Sequence, residues 1–584
     1  MRGLTGGSAV HTWLTVHPYG RTGVRARRRP VRALPGADHG RRAAVRSRRA
    51  PLTSSGRTYA PWMDTHRLLR TTGTVIAAAG LLLSGCTSGG SGEPRAAASS
   101  TPESAPPSAQ PSPAAAALRP YYAQKVTWRE CGVPGFECST MKAPLDYANP
   151  GSGQDVDIAV ARRKATGPGK RLGSLLVNPG GPGGSGIGYL QAYAGIGYPA
   201  AVRAQYDMVS FDPRGVERSN PVECLDGPAM DKYTQVDQTP DDAAERAELV
   251  AAFKEFAAGC EKNSQRVLPH VSTVEAARDM DLLRGVLGDE KLHYVGASYG
   301  TLLGATYAEL FPDRVGRLVL DGAMDPARPA LELNRDQTEG FETAFTSFAK
   351  DCAKQPDCPL GKGDPDAVAA RLKEFFRKVD AQPVPSGDPK RPLGESLATT
   401  GVIAALYDES AWPQLREALS SAMNGDGSGL LSLADSYYER EADGKYANLM
   451  FANAAVNCID QPPAFTGPEA VDSALPSFEK ASPVFGAGLA WASLNCTYWP
   501  VKATGKAREL TAKGAAPIVV VGTTRDPATP YKWAQALAGQ LDSGTLLTYD
   551  GDGHTAYGRG SDCIDTAINR YLLEGKPPEA GKKC

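Results

Sequence analysis

Ser298 lies in the segment VGASYGT, where residue types and spacing first suggest chemistry. Gly296, Ser298 and Gly300 form the pattern G-x-S-x-G at the point where an apolar run ends and a helical pattern begins. That context is typical of a nucleophile elbow, in which a serine is held on a sharp strand-to-helix turn and small neighbours avoid collision. The alternative is a glycine turn whose serine caps the following helix. The context favours Ser298 as a nucleophile.

A serine hydroxyl needs a neighbouring base before it can attack a carbonyl carbon. In an open α/β sheet with a nucleophile elbow, the partners follow in the chain order serine, acid, histidine. His554, in YDGDGHTAYG, is the single histidine after Ser298, and Asp526, in GTTRDPATP, follows the preceding apolar run. Asp550 and Asp552 are nearer to His554 in sequence, but an acid in the same tight loop is badly placed to hold the imidazole from behind. Asp526 is therefore the expected acid.

The segment LLVNPGGPGGSGIG is an apolar run that ends in a glycine-rich loop. Attack on a carbonyl needs two N–H donors aimed at the oxygen that becomes negative. One comes from the residue after the nucleophile, here Tyr299, and the other from a glycine-rich loop after an earlier strand. Gly180 and Gly181 are the candidates in this loop, and the sequence leaves open which of their N–H groups is used.

The same loop also matches a dinucleotide-binding fingerprint. Gly181, Gly183 and Gly186 satisfy G-x-G-x-x-G, and Asp212 follows roughly where a ribose-binding acid would lie. The motif does not open the fold, however, and a serine, an acid and a histidine are present in the order that acyl transfer requires. The sequence therefore favours an acyl-transfer site that uses neither a cofactor nor a metal ion.

Short apolar runs alternate with amphipathic segments and position these residues. The runs with strand character are DVDIAVARR, SLLVNP, YDMVSFD, LHYVGAS, RLVLDG, PIVVVGTT and TLLTYDGDG, and STVEAARDMDLLRGVLG and YGTLLGATYAELFP have helical character. Buried runs that alternate with helices predict an α/β fold with a mostly parallel sheet and helices on both faces. This core is expected at 120–325 and 511–584, and the mainly helical stretch 326–510 is expected to form a cap domain over the carboxyl edge of the sheet.

The N-terminal region differs in composition from the rest of the chain. Residues 63–85, which begin with Met63, combine a basic start, an apolar stretch and small residues, as a secretory signal does. They end in LSG before Cys86, which resembles a bacterial lipobox and makes Cys86 the expected lipidation site. Residues 1–62 are expected to be non-native sequence upstream of the true start at Met63; a disordered extension or an unusual twin-arginine leader is the alternative. Residues 86–119 have the composition of a flexible tether.

The charge distribution argues against nucleic-acid binding. The whole chain has a formal net charge of zero, but the first 85 residues carry 15 of its 64 Lys and Arg and only two acids. The remainder holds 49 basic and 62 acidic residues and is therefore acidic. Phosphate contacts require clustered Lys and Arg, so a nucleic-acid partner is not expected.

Ten cysteines remain after Cys86, an even number that suits disulfide bonds in an exported protein. Sequential pairing is the simplest connectivity, although the sequence leaves other pairings open. None of the spacings is the doubled C-x-x-C of a zinc site. The close pairs along the chain are Cys131 and Cys138, Cys224 and Cys260, Cys352 and Cys358, Cys458 and Cys496, and Cys563 and Cys584.

A family resemblance rests on six segments: NPGGPGGSG, FDPRG, STVEAARDMDLLR, GASYGT, GTTRDPATP and GDGHTAYG. Together they resemble the secreted tripeptidyl aminopeptidases of actinomycetes, which are α/β-hydrolases related to proline iminopeptidases. The resemblance runs from about Val126 to Cys584. It implies Ser298 as nucleophile, Asp526 as orienting acid and His554 as general base and acid, and it implies cleavage of short peptides from a free N-terminus.

The sequence departs from related families at two positions. Proline iminopeptidases have His-Gly-Gly-Pro-Gly in the glycine loop, and Pro179 stands here in place of that histidine, which favours the tripeptidyl branch. Glu217, in FDPRGVERSN, stands where a glycine is common in relatives.

An exopeptidase must also bind the ammonium group of its substrate, which calls for a carboxylate that faces the site from the cap. Asp460, in AVNCIDQP, is the first candidate and Asp325, in DGAMDP, the second. A solvated surface acid is the alternative for either residue.

The sequence and the resemblance together predict an exported serine exopeptidase that releases short peptides, with tripeptides as the expected product. The expected partners are peptides with a free N-terminus, and contact with a membrane is expected only through the lipid anchor. A carboxylesterase or lipase on the same three residues and a non-catalytic surface-binding lipoprotein are the alternatives.

Overall fold

The computed structural model describes residues 113–584, and side chains from residue 116 onward. The signal predicted at 63–85, Cys86 and nearly all of the tether predicted at 86–119 lie outside the described residues. The strands form one ten-stranded sheet. In chain order they are β1 (Arg129–Glu130), β2 (Glu137–Pro144), β3 (Asp155–Arg163), β4 (Gly173–Asn178), β5 (Tyr206–Phe211), β6 (Leu292–Ala297), β7 (Val315–Asp321), β8 (Ile518–Arg525), β9 (Gly544–Asp552) and β10 (Lys582–Lys583).

The sheet is mostly parallel. Its strand order is β1-β2-β3-β5-β4-β6-β7-β8-β9-β10. The first three strands and the β3–β5 pair are antiparallel, and all pairs from β5–β4 to β9–β10 are parallel. The carboxyl ends of β4, β6, β7, β8 and β9 therefore meet at one edge, and this edge carries the loops that hold the candidate site residues.

Helices cover both faces of this sheet. The helices before and within the first part of the sheet are α1 (Pro113–Ala123), α2 (Gly186–Tyr189), α3 (Gly195–Gly197), α4 (Ala200–Gln205), α5 (Gly227–Gln235), α6 (Ala243–Ser264), α7 (Thr273–Leu287) and α8 (Tyr299–Leu310). After the helices inserted between β7 and β8, α17 (Tyr531–Gln540) and α18 (Asp562–Glu574) complete the fold. The helices between β7 and β8 are α9 (Ala330–Lys354), α10 (Pro365–Ala381), α11 (Glu395–Leu406), α12 (Trp412–Met423), α13 (Ser428–Tyr437), α14 (Leu449–Asp460), α15 (Pro468–Ala481) and α16 (Gly486–Ala492).

Successive strand residues alternate between two hydrophobic cores. Leu176, Leu318 and Val520 pack with residues of α7 and α8 on one face. Leu175 and Val319 pack with residues of α4 and α18 on the other face. Strands that are buried on both faces read as continuous apolar runs, which is the pattern that predicted them. The predicted α/β fold with a mostly parallel sheet is confirmed.

The helices between β7 and β8 do not all belong to one core. Helices α9 to α13 share a separate hydrophobic core that contains Phe345, Phe348 and Leu415. Helix α14 instead buries Phe451 and Ile459 in the main core beside the sheet. This helix is therefore fixed to the sheet domain, although it lies within the inserted stretch.

Covalent and ionic links hold the described residues together. Five disulfides join the cysteines in sequential pairs: Cys131–Cys138, Cys224–Cys260, Cys352–Cys358, Cys458–Cys496 and Cys563–Cys584. Arg214 of FDPRG donates two hydrogen bonds to Asp279 of α7, at 2.7 and 2.8 Å, and both side chains are fully buried. Within residues 113–584, no helix is both long and apolar enough to cross a lipid bilayer.

Candidate active site

Ser298 occupies the turn between β6 and α8. Its backbone has φ 56° and ψ −126°, a conformation that costs free energy for a residue with a side chain and that clusters at functional sites. The Ser298 N–H donates to the Asp321 carbonyl at the end of β7, at 2.9 Å. The Ser298 carbonyl accepts from the Thr301 N–H at 2.8 Å and from the Thr301 hydroxyl at 2.6 Å. These bonds hold the serine on the sharp turn that the sequence pattern predicts.

Asp526 and His554 lie together at the same edge of the sheet. Asp526 directly follows β8 and His554 follows β9, and the His554 Nδ1 atom lies 2.8 and 3.0 Å from the two carboxylate oxygens of Asp526. The acid also accepts the N–H groups of Ala528, Thr529 and Thr555, at 2.9, 2.8 and 3.1 Å. The Asp526 side chain is fully buried and that of His554 is 13% exposed. The acid is thus held rigidly behind the imidazole.

The two acids nearer in sequence have another partner. Asp550 and Asp552 both contact Arg525, at 2.8 and 2.9 Å. Neither acid is hydrogen-bonded to the His554 ring within the described residues. The structure thus brings together the acid and the histidine that the chain order selects.

The imidazole faces the strand end that supports the elbow. A Cβ atom built on Gly322 would lie 3.2 Å from His554 Cε1, and Gly322 directly follows Asp321, which accepts the Ser298 N–H. Because Nδ1 is held by Asp526, Nε2 is the ring nitrogen that is left for proton transfer. Tyr407, just after α11, packs edge-on against the His554 ring with centroids 5.5 Å apart. The backbone carbonyl of Tyr407 accepts the backbone N–H of His554 at 2.8 Å.

The glycine loop after β4 lies directly against the elbow. A Cβ atom on Gly180 would stand 2.9 Å from Ser298 Cβ and 3.0 Å from the Tyr299 nitrogen, and only glycine fits this approach at φ 93°. The Gly180 N–H already donates to Asn178 Oδ1 at 2.9 Å. Within residues 113–584, no acceptor takes the Gly181 N–H. Of the two candidate donors, Gly181 is therefore the one with an N–H available for an oxyanion, together with that of Tyr299 at the start of α8.

Asp212, the candidate ribose ligand of the dinucleotide alternative, is used inside the loop. Its buried carboxylate accepts the Ser185 hydroxyl at 2.7 Å and the Ile187 N–H at 3.0 Å, and it contacts Arg218 at 3.1 Å. These bonds hold the end of the glycine loop and the start of α2. The buried acid thus positions the loop.

A cavity of about 340 Å³, here called the Ser298 cavity, lies between the strand ends and the inserted helices. Ser298, Gly181 and Tyr407 line it, together with Asn453, Asn457 and Asp460 of α14. Its volume is within the range of small-ligand sites. Among the described residues that line it, Asp460 is the one with a formal charge.

Asp460 is held in place by Thr273 at the start of α7. One carboxylate oxygen accepts the Thr273 N–H at 2.8 Å and the other accepts its hydroxyl at 2.5 Å. That hydroxyl lies 2.6 Å from the Tyr299 hydroxyl, so a hydrogen-bonded path links Asp460 to the residue after Ser298. Burial raises the pKa of Asp460 to about 6, with a smaller contribution from the nearby Glu275 carboxylate and against the effect of the Thr273 bonds.

The structure does not bring Asp325 to the Ser298 cavity, which corrects the second ammonium-site expectation. Asp325 is almost fully buried and accepts from Gln540 Nε2 at 2.7 Å and from the Ala327 N–H at 3.0 Å. It faces a separate surface depression beside Arg328 and Glu332. Its carboxylate connects the start of the insertion to α17 and is not available for a substrate in the Ser298 cavity.

Sequence reasoning missed the asparagines that line the Ser298 cavity. Asn453, Asn457 and Asp460 follow each other at intervals of four and three residues in the otherwise apolar segment FANAAVNCID. That spacing places three polar side chains on one face of a helix, and it is the signal that could have indicated them. Tyr407 carries no comparable signal, because its contact with His554 depends on how the cap packs.

The chain is similar in sequence to several named enzymes. Residues 482–584 match the family model described as TAP-like protein. The serine protease Hip1 of Mycobacterium tuberculosis H37Rv is 39% identical over 485 residues, which cover 80% of this chain and 92% of that protein. Carboxylesterase B of the same strain is 36% identical over 480 residues, with 80% and 91% covered.

A third relative is named as a tripeptidyl aminopeptidase, the family that the sequence resembles. The tripeptidyl aminopeptidase of Streptomyces lividans is 33% identical over 480 residues, which cover 79% of this chain and 86% of that enzyme. Each of these relatives is similar to this chain over about four-fifths of its length. The chain belongs to the tripeptidyl aminopeptidase-like (TAP-like) family of α/β-hydrolases and is a serine hydrolase.

Proposed function

We propose that this serine hydrolase is an exopeptidase that removes short peptides from the free N-terminus of its substrates. The observation that carries the proposal is the Asp460 carboxylate, the one formal charge among the described residues that line the Ser298 cavity. A peptide with a free N-terminus brings one cation into the cavity, and a fixed carboxylate is its natural partner. An uncharged ester has no group that requires such a partner.

The proposed chemistry begins with attack by Ser298 Oγ on the carbonyl carbon of the scissile peptide bond. His554 Nε2 takes the hydroxyl proton, and Asp526 stabilises the imidazolium through Nδ1. The Gly181 and Tyr299 N–H groups donate to the oxygen that becomes negative. When the C–N bond breaks, His554 returns the proton to the leaving amine, and the N-terminal fragment remains as an ester on Ser298.

Water completes the proposed cycle. His554 takes a proton from the water as its oxygen attacks the ester carbonyl, and the same two N–H groups stabilise the second tetrahedral intermediate. The Ser298 oxygen then leaves with that proton, so the serine is regenerated. The product is a short peptide acid, and no cofactor or metal ion takes part in the proposed cycle.

Hydrolysis of matched substrates tests the proposal. The enzyme should release p-nitroaniline from tripeptide anilides with a free N-terminus and lose at least about 100-fold in kcat/KM on their N-acetyl analogues. Asp460→Asn should abolish most of this discrimination while p-nitrophenyl acetate turnover persists.

Turnover of the ester with no release from free-amine peptides would contradict the exopeptidase proposal and favour a carboxylesterase. No reaction of folded protein with a fluorophosphonate would contradict Ser298 as a nucleophile and favour a non-catalytic binding protein.

We also propose that the protein is exported and anchored through a lipid on Cys86. The five disulfides support export, because such bonds form and persist in oxidising compartments. Mass spectrometry of the membrane fraction should find a mature N-terminus at lipidated Cys86, and Cys86→Ser should move the enzyme to the medium. A mature protein whose N-terminus lies upstream of Cys86 would contradict the anchor.

A further inference from the structure

Helix α14 presents three polar side chains to the Ser298 cavity, here called the α14 polar face: Asn453, Asn457 and Asp460. Asn453 lies next to the glycine loop after β4, called the oxyanion loop from here on after its role in the proposed function, because its Nδ2 donates to the Pro182 carbonyl at 3.1 Å. Asn457 Nδ2 donates in turn to Asn453 Oδ1 at 3.0 Å. Asp460 ends the helix. The α14 polar face thus runs from the glycine loop to the carboxylate that the proposed function assigns to the substrate ammonium.

The orientation of both amides follows from these bonds. A carbonyl oxygen can only accept, so Asn453 must present its Nδ2 to Pro182 and its Oδ1 to Asn457. Asn457 then donates through Nδ2, and no donor within residues 113–584 reaches its Oδ1 atom. Its Oδ1 atom is therefore an unused acceptor on a residue that lines the cavity.

The length of the α14 polar face matches that of a short peptide. Asn453 and Asp460 are seven residues apart, which corresponds to about 10.5 Å along a helix axis. Three extended residues span about 10 Å, and adding or removing one residue changes this span by about 3.4 Å. A dipeptide is therefore too short to reach from the oxyanion loop to Asp460, and the ammonium of a tetrapeptide would pass beyond it.

Helix α14 is also held at both ends. At its start, Asn448 donates to the Gly215 carbonyl at 2.7 Å and accepts the Glu217 N–H at 2.9 Å. Near its end, Cys458 forms a disulfide with Cys496. These contacts at both ends of α14 keep its polar side chains at fixed positions relative to the glycine loop.

We propose that the α14 polar face sets the length of the released peptide at three residues, with Asn457 bound to the peptide backbone and Asp460 to its ammonium. This inference rests on the proposed exopeptidase function. The partial negative charge at the C-terminal end of α14 adds to the attraction for the ammonium group. Asn457 and Asp460 are thus residues that determine specificity, and Asn453 positions the oxyanion loop through Pro182.

Moving the carboxylate along the helix tests the inference. In N457D/D460N the acid lies three residues, or about 4.5 Å, nearer to the oxyanion loop. The asparagine at 460 can still accept the Thr273 N–H. We expect kcat/KM for a free-amine dipeptide anilide, relative to the tripeptide anilide, to rise at least about tenfold over wild type. An unchanged ratio in a variant that still labels with a fluorophosphonate would overturn the inference.

A second variant keeps the test decisive where the double variant fails to label. Asp460→Asn should lower kcat/KM at least about tenfold more on the tripeptide anilide than on the dipeptide anilide, because the dipeptide ammonium does not reach position 460. Equal losses on both substrates would overturn the inference. The matched control is Asn424→Ala, an exposed asparagine at the end of α12, which should leave the length profile unchanged.

The same assays separate this inference from the proposed function. If wild type turns over p-nitrophenyl acetate but no free-amine peptide of any length, the exopeptidase function itself is wrong. If wild type prefers tripeptides while both α14 variants keep the wild-type length profile, the function stands and the role of α14 is wrong.

Discussion

At the scale of single residues, the Asp526–His554 pair is the most firmly held part of the site. The acid accepts three backbone N–H groups and faces Nδ1 with both oxygens, so imidazole orientation and tautomer are determined together. In the proposed mechanism this arrangement stabilises the imidazolium without any rearrangement of the acid.

Asp526→Asn should leave the fold intact and remove most of the activity. The amide can still accept from the Ala528 and Thr529 N–H groups, but an Nδ2 facing the ring favours the wrong tautomer of His554. We expect kcat for a free-amine tripeptide anilide to fall about 10³- to 10⁴-fold. The matched control Asp550→Asn removes a surface acid that pairs with Arg525 and should retain wild-type kcat. Near-normal turnover by Asp526→Asn would show that another acid orients the imidazole.

The pKa of Asp460 predicts a pH dependence that is specific to free-amine substrates. Burial raises this pKa to about 6, so below that pH the carboxyl is protonated and neutral and does not pair with an ammonium group. We expect the ratio of kcat/KM for a free-amine peptide to that for p-nitrophenyl acetate to rise with pH, with a midpoint near 6. The ratio should fall again as the substrate amine deprotonates near pH 8.

Taking this ratio cancels the titration of groups that both substrates need. Asp460→Asn serves as the control and should flatten the rise near pH 6. A rise of equal size in that variant would show that Asp460 does not bind the ammonium group of the substrate.

The positions of the candidate catalytic residues could be predicted where a rule of chain order applied. Ser298, Asp526 and His554 follow strands in a fixed order, so their sequence positions were enough to place them at one edge of the sheet. Asp325 also follows a strand end, but its carboxylate points to Gln540 of α17. The direction of a side chain beyond a strand depends on packing that no local pattern encodes.

At the scale of elements, the glycine loop and the elbow act as one unit. Gly180 lies so close to the elbow that a Cβ atom there would stand 2.5 Å from the Ala297 carbonyl oxygen. On the other side of the loop, a Cβ on Gly183 would lie 2.5 Å from the Leu449 carbonyl of α14. The loop is therefore confined between the nucleophile turn and the helix that carries Asp460.

Gly180→Ala should separate the loop from the elbow. The new methyl group collides with backbone and adopts a strained φ, so the Gly181 N–H should move away from the oxyanion position. We expect a loss of about 10²- to 10³-fold in kcat, measured on protein whose circular dichroism spectrum matches wild type. Gly151→Ala, at a loop position with open space around it, is the control and should keep full activity. Unchanged kcat in Gly180→Ala would exclude this loop as the oxyanion donor.

The strands of this unit could be predicted from sequence, whereas the packing of helix α14 could not. Strands such as β4, β6 and β8 are buried on both faces, which leaves an unmistakable apolar run. Helix α14 lies in a long helical insertion, and nothing in its sequence indicates that it packs on the sheet domain and not with α9 to α13. The two-residue strands β1 and β10 are too short to leave any pattern.

At the scale of the whole molecule, a buried ion pair links two of the sequence motifs. Arg214 and Asp279 have no exposed side-chain surface, and Tyr147 also donates to Asp279, at 2.7 Å. Arg214 further donates to the Leu145 and Pro144 carbonyls, so the pair joins β2, the loop after β5 and α7. These motifs are therefore structural, although sequence alone did not separate structural from catalytic motifs.

Removing one partner of this pair should destabilise the whole fold. Asp279→Ala removes the carboxylate that accepts two hydrogen bonds from Arg214 and leaves this buried charge with the more distant Glu275 carboxylate at 3.5 Å. We expect the free energy of unfolding to fall by about 3–5 kcal/mol in urea titrations. The control Arg570→Ala removes an exposed arginine beside Glu574 and should leave the urea midpoint unchanged. A midpoint for Asp279→Ala equal to that of wild type would mean that the pair does not stabilise the fold.

The most direct test of an exopeptidase that works through Ser298 is detection of the covalent intermediate. Enzyme mixed with a free-amine tripeptide p-nitrophenyl ester and quenched in acid should carry the mass of one tripeptidyl group, located by peptide mapping on Ser298. The N-acetyl analogue should give little of this adduct at the same concentration, because Asp460 has no ammonium to bind. An adduct on another residue, or equal acylation by the free and acetylated esters, would contradict an exopeptidase that works through Ser298.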